Sequence, residues 1–495
     1  MGKKSTKNLN DNKSLSMTKR NELNNLVNSL LKLVFLETNN PLELWNQYLE
    51  LHALIERIRN IENVTVIKKS NQRITSLEAF SKFMHDNGAK IDSVDVTEFP
   101  GYDLGLRAQR DFEKNELFIT IPDKLVFSFD KAPMEVQRAA KTVSLISSMP
   151  NISLAFFLLV ERLNPKSFWK PYFDVLPEKY STVMYFKPNE LNELKGSSAL
   201  KPAINQIKNI ARQYAVLYQI YQKLEDDYEN PIGKILKDKF TFDLYCWSVS
   251  TVMTRQNLIP TIKNDSVTKQ PALIPFWDFA NHANGYLSTS YNIEKQQVES
   301  FVQKKYKKGE QIFIFYGSRN NTDLLVHNGF VCDNNEHECI ITQLSLSSSD
   351  KLLDKRIKIL DFLKMPKSVL VEILPAPIYI SEKFLSFARV FNMTKDQLDQ
   401  WIDSGRSEEL FNMNCIIESD CELRTWNFII NRLTLLLKMS PTSMEEDKLI
   451  LETSSSKINR IKQMLIRFRI IEKNLLIEAL EFSKKQKKLL ETRSA

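Results

Sequence analysis

Nowhere in this chain do two glycines stand one residue apart, and that single fact removes the commonest cofactor-binding folds. Its 11 glycines fall at positions 2, 88, 101, 105, 196, 233, 285, 309, 317, 329 and 405. A dinucleotide fingerprint needs G-x-G to bring backbone against a pyrophosphate, and a P-loop needs a glycine-rich turn closed by Lys and Ser or Thr. Neither can be built here. The glycines gather instead at 101–105 and 285–329, so tight turns and chemistry are expected in those stretches.

With 495 residues the chain can hold two or three domains, each with its own core. The net charge of +8 is spread thinly, with 68 Lys and Arg against 60 Asp and Glu. Its basic clusters, at 3–4, 304–308 and 484–488, are short. Such a pattern suits an acidic protein surface at least as well as nucleic acid, and no nucleic-acid partner is expected. The longest apolar run, residues 154–160, is far too short to cross a bilayer. The first 14 residues lack the apolar centre of a secretory signal. Five cysteines without a C-x-x-C pair fit a reducing compartment. The expectation is a cytoplasmic monomer, with nuclear access left open and no membrane attachment.

Residues 1–14 are polar and expected to be disordered. From 18 to 61, Leu23, Leu26, Leu30, Leu31 and Val34, then Trp45, Tyr48, Leu51 and Leu54, recur at helical spacing. Residues 62–75 read as a polar connector carrying Arg73. A helix through Leu77, Phe80 and Met84 then ends at Asn87-Gly88, a C-cap pair. Between 101 and 122 the character changes to short strands and turns, with Leu117, Ile119 and Ile121 alternating. Helical patterns return over about 131–250, strands from Leu273 to Tyr316 with a hairpin between Tyr286 and Tyr306, and helices from about 349 onward. A small β unit is thus split by a helical insertion and followed by a helical domain. This is α+β; the βαβ alternation of a doubly wound sheet is missing.

Three segments concentrate reactive side chains. IPFWDFANHANG, residues 274–285, joins Trp277, Asp278, Asn281, His282 and Asn284. KKGEQIFIFYGSR, residues 307–319, ends a strand in Tyr316 and Gly317, and TRQNLIP, residues 254–260, carries Arg255, Gln256 and Asn257. Any one of them is explained as well by Asn and His side chains satisfying backbone at turns. Cys332, His337 and Cys339 lie close together, but no fourth ligand is evident and no metal is expected.

In this order the segments resemble the SET-domain protein methyltransferases, through DLGLRA at 103–108, residues 278–285 and residues 309–317. The insertion and helical tail resemble the Rubisco-lysine-methyltransferase-like branch. TRQNLIP, LIPFWDFANHANG and FIFYGSRNN are similar to the actin-histidine N-methyltransferase family. So are NGA at 87–89, SFWKPY at 167–172, ARQYA at 211–215 and EEDK at 445–448, so that the similarity covers nearly the whole chain.

The resemblance implies a SET-domain β-fold interrupted by a helical insertion and followed by an all-helical C-terminal substrate-binding domain. It places N-terminal helices in 1–92, the SET domain in 93–330 and the substrate-binding domain in 331–495. It implies S-adenosylmethionine as cofactor, with Arg73 and Arg255 against its carboxylate and Tyr102, Asp103 and Leu104 along another side. Asp278, Phe279, Ala280, Asn281 and His282 would supply groups to its adenine and amino-acid ends, with Tyr316 and Asn328 completing the set. Asn328 stands where vertebrate members are expected to have Ser. Around the acceptor the resemblance implies Asn257, Trp277, Tyr316 and Arg319, with actin as protein substrate and the tele nitrogen of a histidine as acceptor. In this assignment Asn257 fixes the ring tautomer and the two aromatic walls orient the ring. The alternative is a lysine methyltransferase of the same fold acting on a ribosomal, elongation-factor or histone substrate; a non-catalytic binding protein is a third.

Overall fold

Apolar residues at helical spacing near the N-terminus fold as two helices, Met17–Val34 and Pro41–Glu62. The first is opened by Ser16, whose side chain accepts from the Lys19 N–H, and the second by proline at its first position. This computed structural model describes residues 15–62, 72–223, 231–263, 266–415, 417–454 and 457–494. Residues 1–14 and most of the expected connector therefore lie outside the described residues. The connector's end, Gln72–Thr75, is a single helical turn that carries Arg73. The helix Leu77–Asp86 follows, and Gly88 beyond it takes φ +87°, as the Asn-Gly pair predicts.

Four strands precede the insertion: β1 Val94–Phe99, β2 Asp103–Ala108, β3 Leu117–Pro122 and β4 Phe127–Ser128. Six follow it: β5 Asn257–Lys263, β6 Ser266–Leu273, β7 Asn281–His282, β8 Thr289–Asn292, β9 Gln297–Phe301 and β10 Gln311–Ile314. They form three small sheets, in the orders β1-β2-β10-β7, β3-β9-β8 and β4-β6-β5. The first sheet matters most. β10 runs antiparallel to β2, pairing Ile312 with Leu106, and parallel to β7, pairing Phe313 with Asn281 and Ile314 with His282. The chain between these parallel partners contains the β8–β9 hairpin expected between Tyr286 and Tyr306.

The strand expected where Leu117, Ile119 and Ile121 alternate is β3, in which residues 118–121 are all buried and the pairing with β9 is irregular between Leu117 and Ile119. Two expectations are corrected. Strands begin at Asn257, not Leu273, because β5 and β6 form a hairpin that Pro260 and Pro271 disguise. The C-terminal domain is not all-helical, since β11 Ile340–Ser345 pairs antiparallel with β12 Ser368–Ile373. Ile340, Leu344, Val369, Val371 and Ile373 of that ribbon are buried in the domain's core, at the period of two that a strand requires.

Contacts divide the chain into two compact units, Met1–Tyr180 with Ile204–Gly317, and Ser181–Ala203 with Ser318–Ala495. In the first, the Phe127 ring stacks on Phe157 at 4.2 Å and meets Trp169 edge-on at 5.1 Å. In the second, the core includes Phe384 and Leu385, Ile429 and Leu433 of the helix Ser419–Met439, and Leu475 and Leu476 of the helix Arg460–Ser494. Among the described residues no helix is long and apolar enough to cross a membrane.

Candidate active site

Charged residues from four separated segments meet in the first unit. Arg73 comes from the turn Gln72–Thr75, Arg255 from the last position of the helix Phe242–Arg255, Asp103 from the start of β2, and Asp278 from the 3-10 turn Trp277–Phe279. Arg73 donates from Nε to the Val175 carbonyl at 2.7 Å and from Nη1 to Asp103 Oδ2 at 2.5 Å. Arg255 Nη1 donates to the Asp278 carbonyl at 2.9 Å and lies 3.1 Å from Asp278 Oδ2. Both guanidinium carbons sit over the Phe279 ring, at 5.9 Å for Arg73 and 5.2 Å for Arg255. The Tyr172 hydroxyl, from the SFWKPY segment, donates to Asp278 Oδ2 at 2.5 Å.

The electrostatics of this corner are unbalanced. Burial pushes the Asp278 carboxyl up, and Arg255, Tyr172 and Arg73 oppose that shift without cancelling it. Burial also disfavours the Arg255 charge, but Asp278, Tyr180 and Tyr172 together outweigh it and hold the guanidinium protonated. Arg73 is lowered from its ordinary range, first by burial and then by the neighbouring Arg255 cation, with Asp103 opposing. Two guanidinium groups therefore face one fully buried carboxylate and one half-exposed one. Asp278 Oδ1 is buried with no hydrogen-bond partner among the described residues. A ligand with an amino-acid head group suits both features: its carboxylate matches the guanidinium pair, and its ammonium matches the unpartnered oxygen.

Backbone strain marks the same corner. Asp103 has φ 69° and Phe276, fully buried before the turn that holds Asp278, has φ 73°. Non-glycine residues in this region cost on the order of 1–3 kcal/mol and persist only where the surroundings enforce them. Here the Phe276 ring stacks on Phe80 at 6.2 Å, and Phe80 also packs on Tyr172 and Phe279.

Beside it, the β7–β10 pairing orders the polar segment. Asn281 Nδ2 donates to the Leu104 carbonyl at 3.1 Å. A Cβ on Gly105 would come within 2.6 Å of Gln311 Nε2 and 2.9 Å of that nitrogen, so the bare glycine leaves room for both side-chain amides. Leu104 itself is a core side chain, and Tyr102 is half exposed with its ring edge-on to Phe313 at 5.3 Å. His282 Nδ1 accepts from the Tyr316 N–H at 3.2 Å, which only a neutral ring with its proton on Nε2 can do. The Tyr316 hydroxyl donates to the Ala280 carbonyl at 2.7 Å. Its proton is committed there, so toward a ligand this oxygen can only accept.

Trp277 is buried, and its Nε1 donates to Thr289 Oγ1 at 3.0 Å and Ser300 Oγ at 3.2 Å, which fixes the indole plane. Asn257 opens β5 two residues after Arg255, with Oδ1 accepting from the Leu258 N–H at 2.9 Å. Arg319 and Asn328 belong to the second unit, where Arg319 Nη1 donates to Asn328 Oδ1 at 2.8 Å. Asn328 ends one turn of π-helix, Leu324–Asn328, a geometry often found at functional positions. Cys332 and Cys339 flank a polar knot made by Asn320, Asn321 and Glu338.

Sequence reasoning missed Tyr172, Thr289 and Ser300. Tyr172 lay within a quoted motif, but nothing in its spacing signalled a carboxylate partner. The hydroxyls under Trp277 come from a hairpin whose register is not legible in advance.

Comparison with known proteins bears on the fold and the family. A family model for the SET domain matches residues 103–317, and one for the Rubisco LSMT substrate-binding domain matches residues 347–476. The actin-histidine N-methyltransferase of Drosophila melanogaster is 37% identical over 497 residues, covering 96% of this chain and 92% of its own length. The Homo sapiens protein of that name is 36% identical over 465 residues, covering 93% of this chain and 77% of its own. The SET domain of LSMT bound to lysine and AdoHcy superposes with TM-score 0.68 at 19% identity, over 85% of this chain and 93% of that one. Rubisco LSMT bound to AdoMet gives 0.64 at 19%, over 84% and 93%. At that identity the two structures establish the fold. Identity above one third along nearly the full length establishes more: the chain belongs to the actin-histidine N-methyltransferase family, built on a SET domain with a Rubisco-LSMT-type substrate-binding domain.

Proposed function

We propose that this protein transfers a methyl group from S-adenosylmethionine to the tele nitrogen of a histidine in actin, acting as a cytoplasmic monomer. The observation that carries the reading is membership, along 96% of the chain, in a family named for that reaction. Five free cysteines fit the reducing compartment.

The cofactor supplies an electrophilic methyl group on a sulfonium centre and ends in an amino-acid head group. Arg73 and Arg255 would hold its carboxylate, and Asp278 would take its ammonium. Asn281 and His282, fixed on β7, border the same site, and the acceptor-only oxygen of Tyr316 favours a polarised methyl nearby. Asn257 follows Arg255 on the chain, so the residue that meets the acceptor is placed by the helix that delivers a cofactor arginine. Its carboxamide oxygen has a second lone pair. Accepting one ring N–H there leaves the other imidazole nitrogen bare for attack.

No strong base is needed, since imidazole with a pKa of about 6.5 is largely neutral at physiological pH. Positioning then supplies most of the acceleration, for which well-aligned reactants can recover on the order of 7–11 kcal/mol.

A pair of actin-derived peptides, one with the histidine and one with lysine in its place, tests the pocket. Transfer to the histidine peptide should exceed transfer to the lysine peptide at least tenfold, and Asn257→Phe should narrow that gap. Equal rates on both peptides would contradict the role given to Asn257.

A further inference from the structure

We propose that Tyr172 is a positioning residue for the cofactor site: its hydroxyl locks the Asp278 carboxylate in the one orientation that bonds Arg255 through Oδ2 and presents Oδ1 to the ligand. This rests on the cofactor reading above and extends it to a residue outside the ligand-contacting set.

Two side chains hold Asp278 through three contacts. The Tyr172 hydroxyl reaches Oδ2 at 2.5 Å, Arg255 reaches the same oxygen at 3.1 Å, and Arg255 also binds the residue's own carbonyl at 2.9 Å. Every identified contact of the carboxylate therefore falls on Oδ2, and Oδ1 stays buried without a hydrogen-bond partner among the described residues. A buried acceptor left bare is costly, and a bound cation or N–H would relieve that cost. The tyrosine is well placed to enforce this. It is fully buried, Phe80 packs against its ring at 6.0 Å, and its neighbour Phe173 lies 6.1 Å away.

Without the phenol proton, nothing but Arg255 would fix the rotation of the carboxylate, and the two oxygens could exchange places. The charged and titratable groups facing Asp278 are Arg255 from its helix, Arg73 from the N-terminal turn, and Tyr172 and Tyr180 from the insertion. Of these, Tyr172 is the one neutral hydrogen-bond donor to the carboxylate. Its loss should raise the Asp278 carboxyl further, because a donor to the ionised form is removed while burial stays.

The test is calorimetric titration of the full chain with S-adenosylhomocysteine, for wild type, Tyr172→Phe, Asp278→Asn and the double variant, from pH 5.5 to 8.5. Tyr172→Phe should weaken binding about tenfold at neutral pH, the size expected for a hydrogen bond to a charged group. The acid limb of its binding profile should move up by about one pH unit. In the Asp278→Asn background the same change should cost less than about twofold, since the residue it acts through is already neutral. Tyr245→Phe, which removes another buried hydroxyl bonded to Gln213 at 2.9 Å, serves as the control for general loosening. It should lower Tm with no shift of the pH profile.

Unchanged affinity and profile in Tyr172→Phe, or a full tenfold loss persisting beside Asp278→Asn, would overturn the proposal. Should Tyr172→Phe not fold, the carboxylate role is read from wild type against Asp278→Asn: an acid limb present in both would overturn it equally. Binding is measured without actin, so wild type that binds cofactor yet leaves actin unmodified would refute the substrate assignment and leave this test intact.

Discussion

Two buried aspartates carry opposite electrostatic signatures. Asp447, in the second unit, is fully buried between Arg469, which grips both its oxygens, and Lys473 Nζ, 2.6 Å from Oδ2. Burial there would raise the carboxyl, but the two cationic donors outweigh it and hold it below the ordinary range. Asp278, buried as deeply in the first unit, ends above that range. Its donors are one guanidinium and one phenol, and one oxygen has none among the described residues. Saturation marks a structural charge, and a missing partner marks a binding one. Buried ion pairs alone would not distinguish them.

The largest expected effect comes from breaking the saturated site. Asp447→Asn leaves Arg469 and Lys473 without their shared counter-ion and should cost about 3–5 kcal/mol of stability. Chemical denaturation measures this, and cofactor affinity of the folded fraction should not change. Because the folded Asp447 carboxyl is depressed, its contribution is present above the ordinary aspartate pKa. It is lost as pH falls through the lower folded value, so the variant should lose part of the wild type's acid sensitivity.

The next effect sharpens the contrast. Asp278→Asn should weaken S-adenosylhomocysteine binding by about 10- to 100-fold, the range for a hydrogen bond to a charged group. The unliganded protein should lose less than Asp447→Asn costs, since Arg255 loses its buried counter-ion while the burial penalty on the carboxylate goes with it, and that loss should shrink as pH rises. The sign follows from the raised carboxyl: folding favours its protonated form, so stability falls as pH rises through the folded pKa, and asparagine removes that penalty. A large stability loss here would erase the distinction between the two sites.

A third carboxylate sits between these cases. Glu62 ends the helix Pro41–Glu62, accepts from the Tyr214 hydroxyl at 2.5 Å and from the Phe242 N–H at 2.9 Å, and has no cationic hydrogen-bond donor among the described residues. Burial pushes it up to about 8, against those two hydrogen bonds. Its stabilising protonation is complete below the ordinary glutamate range and is lost as pH rises toward 8. Thermal melts of wild type should therefore fall across that window, by up to about 1.4 kcal/mol per pH unit, and Glu62→Gln should flatten the slope.

The smallest effect sets the floor. Lys305 and Glu113 pair at 2.7 Å with both side chains about three-quarters exposed. Lys305→Ala should leave Tm unchanged within error, as exposed pairs usually do.

Much of this was legible in the sequence. The glycines at 101–105 and 285–329 accompany the segments of the candidate site: Gly105 leaves room for Asn281, Gly285 closes the segment that holds Asp278, and Gly317 follows Tyr316. Helical spacing gave the N-terminal helices because one face of each is buried. β3 was legible as a strand, but the burial of all of residues 118–121 was not. The β11–β12 ribbon was missed because the helix Leu353–Phe362 between its strands dominates the local pattern. The Tyr172–Asp278 bond joins residues 106 positions apart, and no local rule reports such a contact.

The most direct measurement is mass spectrometry of recombinant actin after incubation with this protein and S-adenosylmethionine, with fragment mapping of the modified residue. The account predicts the added mass of one methyl group, located on a histidine. The same mass on a lysine, or unmodified actin beside an enzyme that binds its cofactor, would contradict it.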